Sequence, residues 1–175
     1  MRAAPWMLFT VTISLAFCQA CGSAANNPQS LTPDQRAAVE ASVRQFTSAV
    51  AHDVTEQGPM AWSKYFASTP EFFMAVNGQL AFRNGQEAAQ AIPAVARNYK
   101  HIELRWGSDL RIDVLTENFC VVASSYTEIV ELNPGVEGPQ GTQTGYFTGV
   151  AEKQNGEWRF RDAHWSAAVE PAKTH

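Results

Sequence analysis

The chain has 175 residues, 45% of them hydrophobic, with 13 basic and 17 acidic side chains and a formal net charge of −4. A domain of this size buries a core without the help of metals or disulfides. The chain has no basic stripe, which argues against nucleic acid as a partner.

The N-terminal stretch Met1–Ala20 has the features of an export signal. It carries one Arg and no acidic residue, and its apolar run Trp6–Phe17 is too short to span a bilayer. Two kinds of processing fit the residues after this run. Those around Cys21 resemble a bacterial lipoprotein acceptor site, whereas Ser23–Ala25 would suit ordinary signal peptidase. We therefore expect an extracytoplasmic protein, either secreted, periplasmic or tethered to a membrane through a lipid on Cys21, and we favour the lipid anchor.

The chain divides into one domain and its flanking segments. Residues 1–25 are the leader, 26–30 a flexible tether, 31–168 the domain and 169–175 a disordered tail. Without the leader, Cys120 is the last cysteine left, so the domain has no internal disulfide. Because Cys120 lies in an apolar strand, we interpret it as a small buried hydrophobic side chain.

A strong helix start follows the tether. Thr32 is placed to cap the helix, Pro33 to occupy its first turn and Gln35 to complete a capping box. Apolar residues at helical spacing extend this helix to about five turns. The pair Gly58-Pro59 then breaks it.

A short second helix around Trp62 precedes a hairpin. Asn77-Gly78 predicts a two-residue turn between two short strands, with Phe73 opposite Phe82. A third helix is predicted over residues 86–98, and a proline at position 93 should kink or split it.

The second half of the chain has the pattern of a sheet. Alternating and apolar runs predict long strands over residues 101–106 (with a continuation to 114), 119–131, 144–153 and 157–166. This order predicts an α+β fold, in which three N-terminal helices pack on the concave face of a strongly curved, mostly antiparallel sheet. The space between helices and sheet would hold a ligand.

The chain resembles the nuclear transport factor 2-like superfamily, a cystatin-like α+β cone, and within it the SnoaL-like family. The resemblance covers residues 31–168 and rests on the capped first helix, the Trp-x-x-x-Phe helix, the hairpin that leads into a third helix, and the terminal motif from Asn155 to Ser166. Members include ketosteroid isomerase, polyketide cyclases, dehydratases, transport adaptors and a kinase association domain. The resemblance therefore implies a fold without choosing a function.

The candidate catalytic residues are His164 and Asp162. Pairing through the preceding turn sets Phe147 opposite His164, which turns both candidates towards the cavity; a bulge would change this pairing. Histidine titrates near neutral pH and a buried aspartate has a raised pKa, so the two would act as acid and base. In the alternative, His164 hydrogen-bonds Ser166 or a helix group and orients the sheet, and Asp162 forms a salt bridge with an Arg.

The candidate ligand-binding residues are mostly aromatic, with core packing as the alternative for each: Tyr65, Trp62, Phe73, Tyr99, Phe147 and Ser166. Tyr65 and Tyr99 have the strongest claim, because a phenol near a helix end can turn its hydroxyl inward. Trp165 and Tyr146 are expected on the convex face of the sheet. Two exposed aromatics there indicate an association surface and a homodimer.

Three functions stay open at this point. The leading hypothesis is a domain that binds a small apolar or aromatic molecule. The second is a cofactor-free isomerase, dehydratase or cyclase that uses His164 and Asp162, with Tyr65 as hydrogen-bond donor. The third is an association module with a vestigial pocket. The sequence has neither the spacing of a metal-ligand cluster nor a phosphate loop, so we predict no metal and no cofactor.

Overall fold

The computed structural model describes residues 30–167. The predictions for the leader, for a lipid on Cys21 and for the C-terminal tail concern residues outside this range. Within it, no helix is long and apolar enough to cross a membrane.

The first helix, α1 (Pro33–Gln57), begins as predicted. The Thr32 hydroxyl accepts a hydrogen bond from the backbone N–H of Gln35 at 3.2 Å, and the Gln35 side chain accepts one from the N–H of Thr32 at 2.9 Å, which confirms the capping box. The helix has 25 residues and is longer than the predicted five turns. It ends at Gly58, whose φ of 72° lies in a region that favours glycine.

Two shorter helices complete the helical layer. A 3-10 helix (Gly58–Ala61) leads directly into α2 (Trp62–Tyr65), and α3 (Gly85–Ala96) follows the hairpin. The Asn84 side chain caps α3 by accepting the N–H of Glu87 at 2.8 Å.

Proline 93 does not divide α3. The helix continues through Pro93 to Ala96, so of the two predicted outcomes, a kink or a split, the split is wrong. A proline removes one backbone hydrogen bond. The buried side chains of Ala88 and Ile92 hold the same helix against the rest of the domain.

Seven strands form one curved sheet: β1 (Phe73–Val76), β2 (Gln79–Phe82), β3 (Tyr99–Trp106), β4 (Arg111–Val114), β5 (Phe119–Leu132), β6 (Gly141–Gln154) and β7 (Glu157–Ala167). The spatial order is β2-β1-β7-β6-β5-β3, with β4 also paired to β5. Every pairing is antiparallel except that of β1 with β7. The predicted α+β class is confirmed. The single strand expected up to residue 114 is two strands, because the chain turns after Trp106 and both pieces pair with β5.

The turn between β1 and β2 is the one that the sequence predicts, but the register of the two strands differs from the prediction. Asn77 and Gly78 have φ values of 50° and 79°, the positive values that a type I′ turn needs. A one-residue shift further along the hairpin pairs Phe82 with Met74. The predicted pairing of Phe82 with Phe73 is therefore wrong.

The concave side of the sheet packs on α1. The indole N–H of Trp158 donates to the Ser42 hydroxyl at 2.8 Å, and that of Trp106 donates to the carbonyl of Thr47 at 2.8 Å. The largest fully buried side chains are Phe72, Phe147 and Phe160. Burial of each such side chain contributes about 2–3 kcal/mol.

Candidate functional site

An apolar cavity lies between α2, α3, the β1–β2 hairpin and the sheet. Its volume is about 170 Å³. Six of its lining residues are aliphatic, five are aromatic and one is acidic: Pro59, Met74, Val76, Ile92, Val95 and Ile102; Trp62, Phe66, Phe82, Tyr99 and Trp165; and Glu128. This composition is typical of a small-molecule site, in which few polar groups orient a ligand among many apolar ones.

The end of α2 fixes two of the aromatic side chains. Trp62 and Phe66 are one helical turn apart, and their rings stack at 5.0 Å between centroids with planes 18° apart. The chain then leaves the helix and joins the sheet: the N–H of Ala67 donates to the carbonyl of Phe160 at 2.8 Å. This backbone hydrogen bond fixes the position of the two rings relative to β7.

A bulge in β7 turns Trp165 into the cavity. Phe160 pairs with Ala151 and Asp162 pairs with Val150, which leaves Arg161 without a partner on β6. One extra residue reverses the direction of every side chain beyond it. As a result Trp165 is buried (7% exposed) and was wrongly expected on the convex face.

Trp165 sits among other aromatic rings at the base of the cavity. Its ring lies 5.6 Å from that of Trp62 at 84° and 5.7 Å from that of Trp106 at 21°. Tyr126 and Phe147 pack on it at 4.8 and 4.7 Å. These contacts make the base rigid and leave Trp62 and Trp165 as two aromatic walls that are nearly perpendicular.

Glu128 is the ionisable acid of the cavity. It lies on β5 in phase with the inward-facing Tyr126 and Val130. It forms no ion pair and no side-chain hydrogen bond with any other residue between positions 30 and 167. Glu128 is half-buried in the cavity wall, and its charged form lacks the compensation that a partner charge or a hydrogen-bond donor would supply.

The apolar surroundings change the acidity of this carboxyl group. Burial raises the pKa of Glu128 from 4.5 to about 7. Burial, together with the negative charge of Glu128, also raises the pKa of Tyr99 and that of Tyr126 above the ordinary phenol value. The site therefore combines a carboxyl group that titrates near neutral pH with a phenol that stays protonated in the cavity wall.

Of the sequence-predicted ligand residues, the structure places Trp62 and Tyr99 in the cavity wall. Phe147 is fully buried beneath the base. Phe73 is 42% exposed on the opposite side of the sheet, next to Asp162 on β7. Ser166 also lies on that side, where its hydroxyl donates to the carbonyl of Tyr146 at 3.1 Å.

The two candidate catalytic residues are away from the cavity. His164 is exposed on the convex face, where it pairs with Thr148 and Ala75. The predicted pairing of His164 with Phe147 is wrong, because the bulge sets Trp165 there instead. Asp162 lies on the same convex side, half-buried, and burial raises its pKa. The placement on which their role in a cavity depended is therefore wrong.

Tyr65 has a structural partner outside the cavity. Its hydroxyl donates to a carboxylate oxygen of Asp53 at 2.6 Å, and Lys64 donates to the same oxygen at 2.9 Å. These hydrogen bonds from Tyr65, Lys64 and His52 hold the pKa of Asp53 far below its usual range. The cluster joins α2 to α1, so the phenol of Tyr65 is engaged in holding the helices together.

Sequence reasoning missed Glu128, although a signal was present. Tyr126 is an aromatic residue within the predicted strand 119–131, and Glu128 follows it by two positions, on the same face of that strand. A charged residue in phase with a run of inward-facing apolar residues marks a functional position. Among the described residues, no group of three or more His, Cys, Asp or Glu side chains is arranged to hold a metal ion.

No protein-family model and no curated protein matches the sequence. Solved structures do match the fold. A protein from Novosphingobium aromaticivorans that has been assigned as a scytalone dehydratase superposes with a TM-score of 0.66 at 14% identity, over 79% of this chain and 89% of that one. A nuclear transport factor 2-like protein from Salmonella enterica gives 0.64 at 14% identity, over 79% and 99% of the two chains. A hexachlorocyclohexane dehydrochlorinase from Novosphingobium barchaimii gives 0.61 at 16% identity, over 82% and 97%.

These superpositions confirm the predicted fold. The chain has the nuclear transport factor 2-like fold over most of its length. Identities this low establish the architecture, and the chemistry of the site has to be argued from the residues of this chain.

Proposed function

We propose that this chain binds a small, largely apolar molecule in the cavity, with Glu128 as the polar anchor. The observation that carries the proposal is the single desolvated carboxyl group in an otherwise apolar wall. An apolar cavity of about 150 Å³ accommodates benzene. A volume of about 170 Å³ therefore suits a ring of that size with a short substituent.

The cavity also favours binding over a purely structural role. An association module has no use for an internal space, and cavities cost stability because their lining loses packing contacts. Here the rings of Trp62 and Phe66 are held at the wall by backbone contacts to β7, which keeps the space open.

Ligand-observed NMR with benzyl alcohol, phenol and indole tests the proposal. Val76→Phe fills the cavity, since Val76 is half-buried in its wall, and we expect it to weaken binding at least tenfold. Val121→Phe makes the same exchange on the convex side of β5 and should leave affinity within about twofold. Equal binding by a folded Val76→Phe protein, or no binding by the unmodified protein, would contradict the proposal.

A second candidate function is proton transfer to or from the bound molecule. A carboxyl group with a pKa of about 7 both takes and gives a proton near neutral pH. Two structural relatives are named for eliminations, a dehydration and a dehydrochlorination, in which a base removes a proton. In this hypothesis Glu128 takes the role first assigned to His164 and Asp162, and the phenol of Tyr99 supplies a hydrogen bond.

Exchange of the α-hydrogens of cyclohexanone in D₂O, followed by NMR, tests this chemistry. We expect the unmodified protein to accelerate exchange at least tenfold relative to Glu128→Gln. The rate should rise as pH increases through about 7, because the base must be ionised. Glu131→Gln removes an exposed acid from the same strand and serves as the control. Equal rates for Glu128→Gln and the control would exclude Glu128 as the base.

We also propose that the protein is extracytoplasmic and held at a membrane by a lipid on Cys21. The support is the apolar leader and the small residues around Cys21. Cys21→Ser should move the protein from the membrane fraction to the soluble fraction, as measured by fractionation of cells. Cys18→Ser, three residues upstream, should leave it in the membrane fraction. A soluble unmodified protein would contradict the anchor.

A further inference from the structure

We infer that the cavity selects a ligand with a positive charge: an apolar body that carries a protonated amine or a quaternary ammonium group, held between the Glu128 carboxylate and the aromatic wall. The inference deepens the proposed binding function and rests on it. It concerns the charge of the ligand, which neither the fold nor the size of the cavity specifies.

The first observation is the charge balance of the site. The cavity lining contains one acid and no Lys, Arg or His. The basic side chains of β3 are occupied or face elsewhere. Lys100 forms an ion pair with Glu131 at 2.9 Å, Arg105 forms one with Glu103 at 2.5 Å, and His101 is exposed opposite Glu131 on the outer side. Within residues 30–167, Glu128 therefore has no cationic partner, and a ligand is left to supply one.

The second observation is the aromatic wall. Five of the twelve lining residues are aromatic, and the rings of Trp62 and Trp165 stand at 84° with centroids 5.6 Å apart. Cations bind over aromatic faces within about 6 Å, and tryptophan is the strongest such partner. The two rings contact each other edge to face, and the parts of them that line the cavity offer an ammonium group an aromatic surface. Phe66 and Trp106 stack on the two rings and keep them in place.

A positively charged ligand suits this site better than a neutral or a negatively charged one. A carboxylate in this apolar site is costly to ionise, and a cation in contact with it offsets that cost. A neutral ligand leaves the cost in place, and an anionic ligand adds repulsion. The other ionisable groups near Glu128 are Tyr99 on β3 and Tyr126 on β5, and their raised pKa values keep them neutral through the physiological range. Its strand partners, Leu104 and Gln143, do not ionise.

Three probes with the same ring test the inference: benzylamine, benzyl alcohol and benzoate, which are cationic, neutral and anionic at pH 8. Titration calorimetry or ligand-observed NMR gives their affinities. We expect benzylamine to bind at least tenfold more tightly than benzyl alcohol, with benzoate weakest. Glu128→Gln should remove most of the preference for benzylamine over benzyl alcohol, while Glu131→Gln should leave all three affinities unchanged.

The pH dependence supplies a second signature. Because the ammonium group binds the ionised carboxylate, the affinity for benzylamine should fall by up to tenfold per unit as pH drops below about 7. The affinity for benzyl alcohol should stay flat. If Glu128→Gln does not fold, Trp62→Leu provides a second test. It removes one aromatic wall without a change in charge and should reduce the preference for benzylamine over benzyl alcohol.

The outcomes separate the two proposals. If benzyl alcohol binds and benzylamine binds no tighter, the charge preference is overturned and the binding function stands. If none of the three probes binds, the binding function fails, and the charge preference fails with it. A preference for benzylamine that is undiminished in Glu128→Gln also overturns the inference, because the carboxylate is then not its origin.

Discussion

Glu128 makes the stability of the domain depend on pH in a direction opposite to most acidic residues. Its pKa in the folded protein is about 7, compared with 4.5 for the free side chain. Between these values the folded protein binds more protons than the unfolded chain, so the free energy of unfolding falls as pH rises from about 4.5 to 7. Above pH 7 the free energy of unfolding is lower by the full cost of ionising the Glu128 carboxyl group in the folded protein, which is at most about 3 kcal/mol.

Glu128→Gln should therefore stabilise the protein at alkaline pH. A neutral amide of the same shape avoids the cost of a buried charge, so we expect the free energy of unfolding to increase by about 2 kcal/mol at pH 8. At pH 5 the two proteins should differ little, because Glu128 is then protonated. Urea denaturation at both pH values measures the difference.

Glu131→Gln is the matched control for that measurement. Glu131 is exposed, and its hydrogen bond and ion pair with Lys100 lower its pKa. The stabilisation from this ion pair is present above the ordinary glutamate pKa and is lost as pH falls. Glu131→Gln should therefore show a small loss of stability at pH 8. A gain of similar size in both variants would mean that removal of any acid stabilises the protein, and that burial of Glu128 is not the cause.

The individual site residues show which parts of the candidate site can be predicted from the sequence. Trp62 and Tyr99 are predicted as ligand-binding residues from their aromatic character and, for Tyr99, from its position near a helix end, and both lie in the cavity wall. His164 and Trp165 exchanged faces because one unpaired residue on β7 reverses the alternation. An isolated strand carries no sign of such a bulge, since the cause is the geometry of its neighbours.

Gly149 on β6 provides the space that the bulge needs. A Cβ atom at position 149 would lie 2.8 Å from the carbonyl oxygen of Asp162 and 2.6 Å from the ring of Phe147. Both neighbours are fixed, one by the backbone of β7 and the other by full burial in the core. The sequence shows the glycine as a small residue, but the structure shows that β7 occupies the space beside it.

Gly149→Ala should consequently destabilise the domain. Overpacking of a rigid site costs about 1–3 kcal/mol, and here the displaced atoms belong to the strand that carries Trp165. Thr148→Ala changes the adjacent, exposed position on β6 and should cost no more than about 0.5 kcal/mol. Chemical denaturation compares the two. If Gly149→Ala is as stable as Thr148→Ala, the strands adjust freely and the close approach does not constrain the bulge.

Local signals in the sequence predicted the elements better than their pairing. The capping box at Thr32 and the turn at Asn77-Gly78 depend on backbone geometry within four residues, and both are confirmed. The split at Pro93 was wrong because burial of α3 outweighs one lost hydrogen bond. The register of β1 with β2 shifts by one residue between Met74 and Ala75, and that of β6 with β7 shifts between Val150 and Ala151.

The convex face of the sheet is open in the monomer, and we propose that a second copy of the chain covers it. Tyr146 and Phe73 are 43% and 42% exposed on this face, among threonines and half-buried β-branched side chains. Exposed aromatic side chains on a broad sheet surface are typical of interfaces. The cavity opens on the other side of the sheet, so dimerisation would leave it accessible.

Tyr146→Lys should convert a dimer into a monomer. A charge at this position would be buried in the interface without a partner, and we expect the mass measured by analytical ultracentrifugation to halve. Leu115→Lys changes another exposed apolar residue, 58% exposed in the turn between β4 and β5, and should leave the dimer intact. A monomeric unmodified protein at concentrations of tens of micromolar would contradict this interface.

The parallel pairing of β1 with β7 has a consequence for how the molecule folds. Phe73 pairs with Asp162 and Val76 with Trp165, so the hairpin finds its place only after the last strand has been synthesised. Contacts this distant along the chain slow the folding of a domain. Until β7 is in place, the cavity lacks its base and α2 lacks the strand on which it rests. The binding site should accordingly be among the last parts of the domain to form, and a chain interrupted during synthesis would have no site at all.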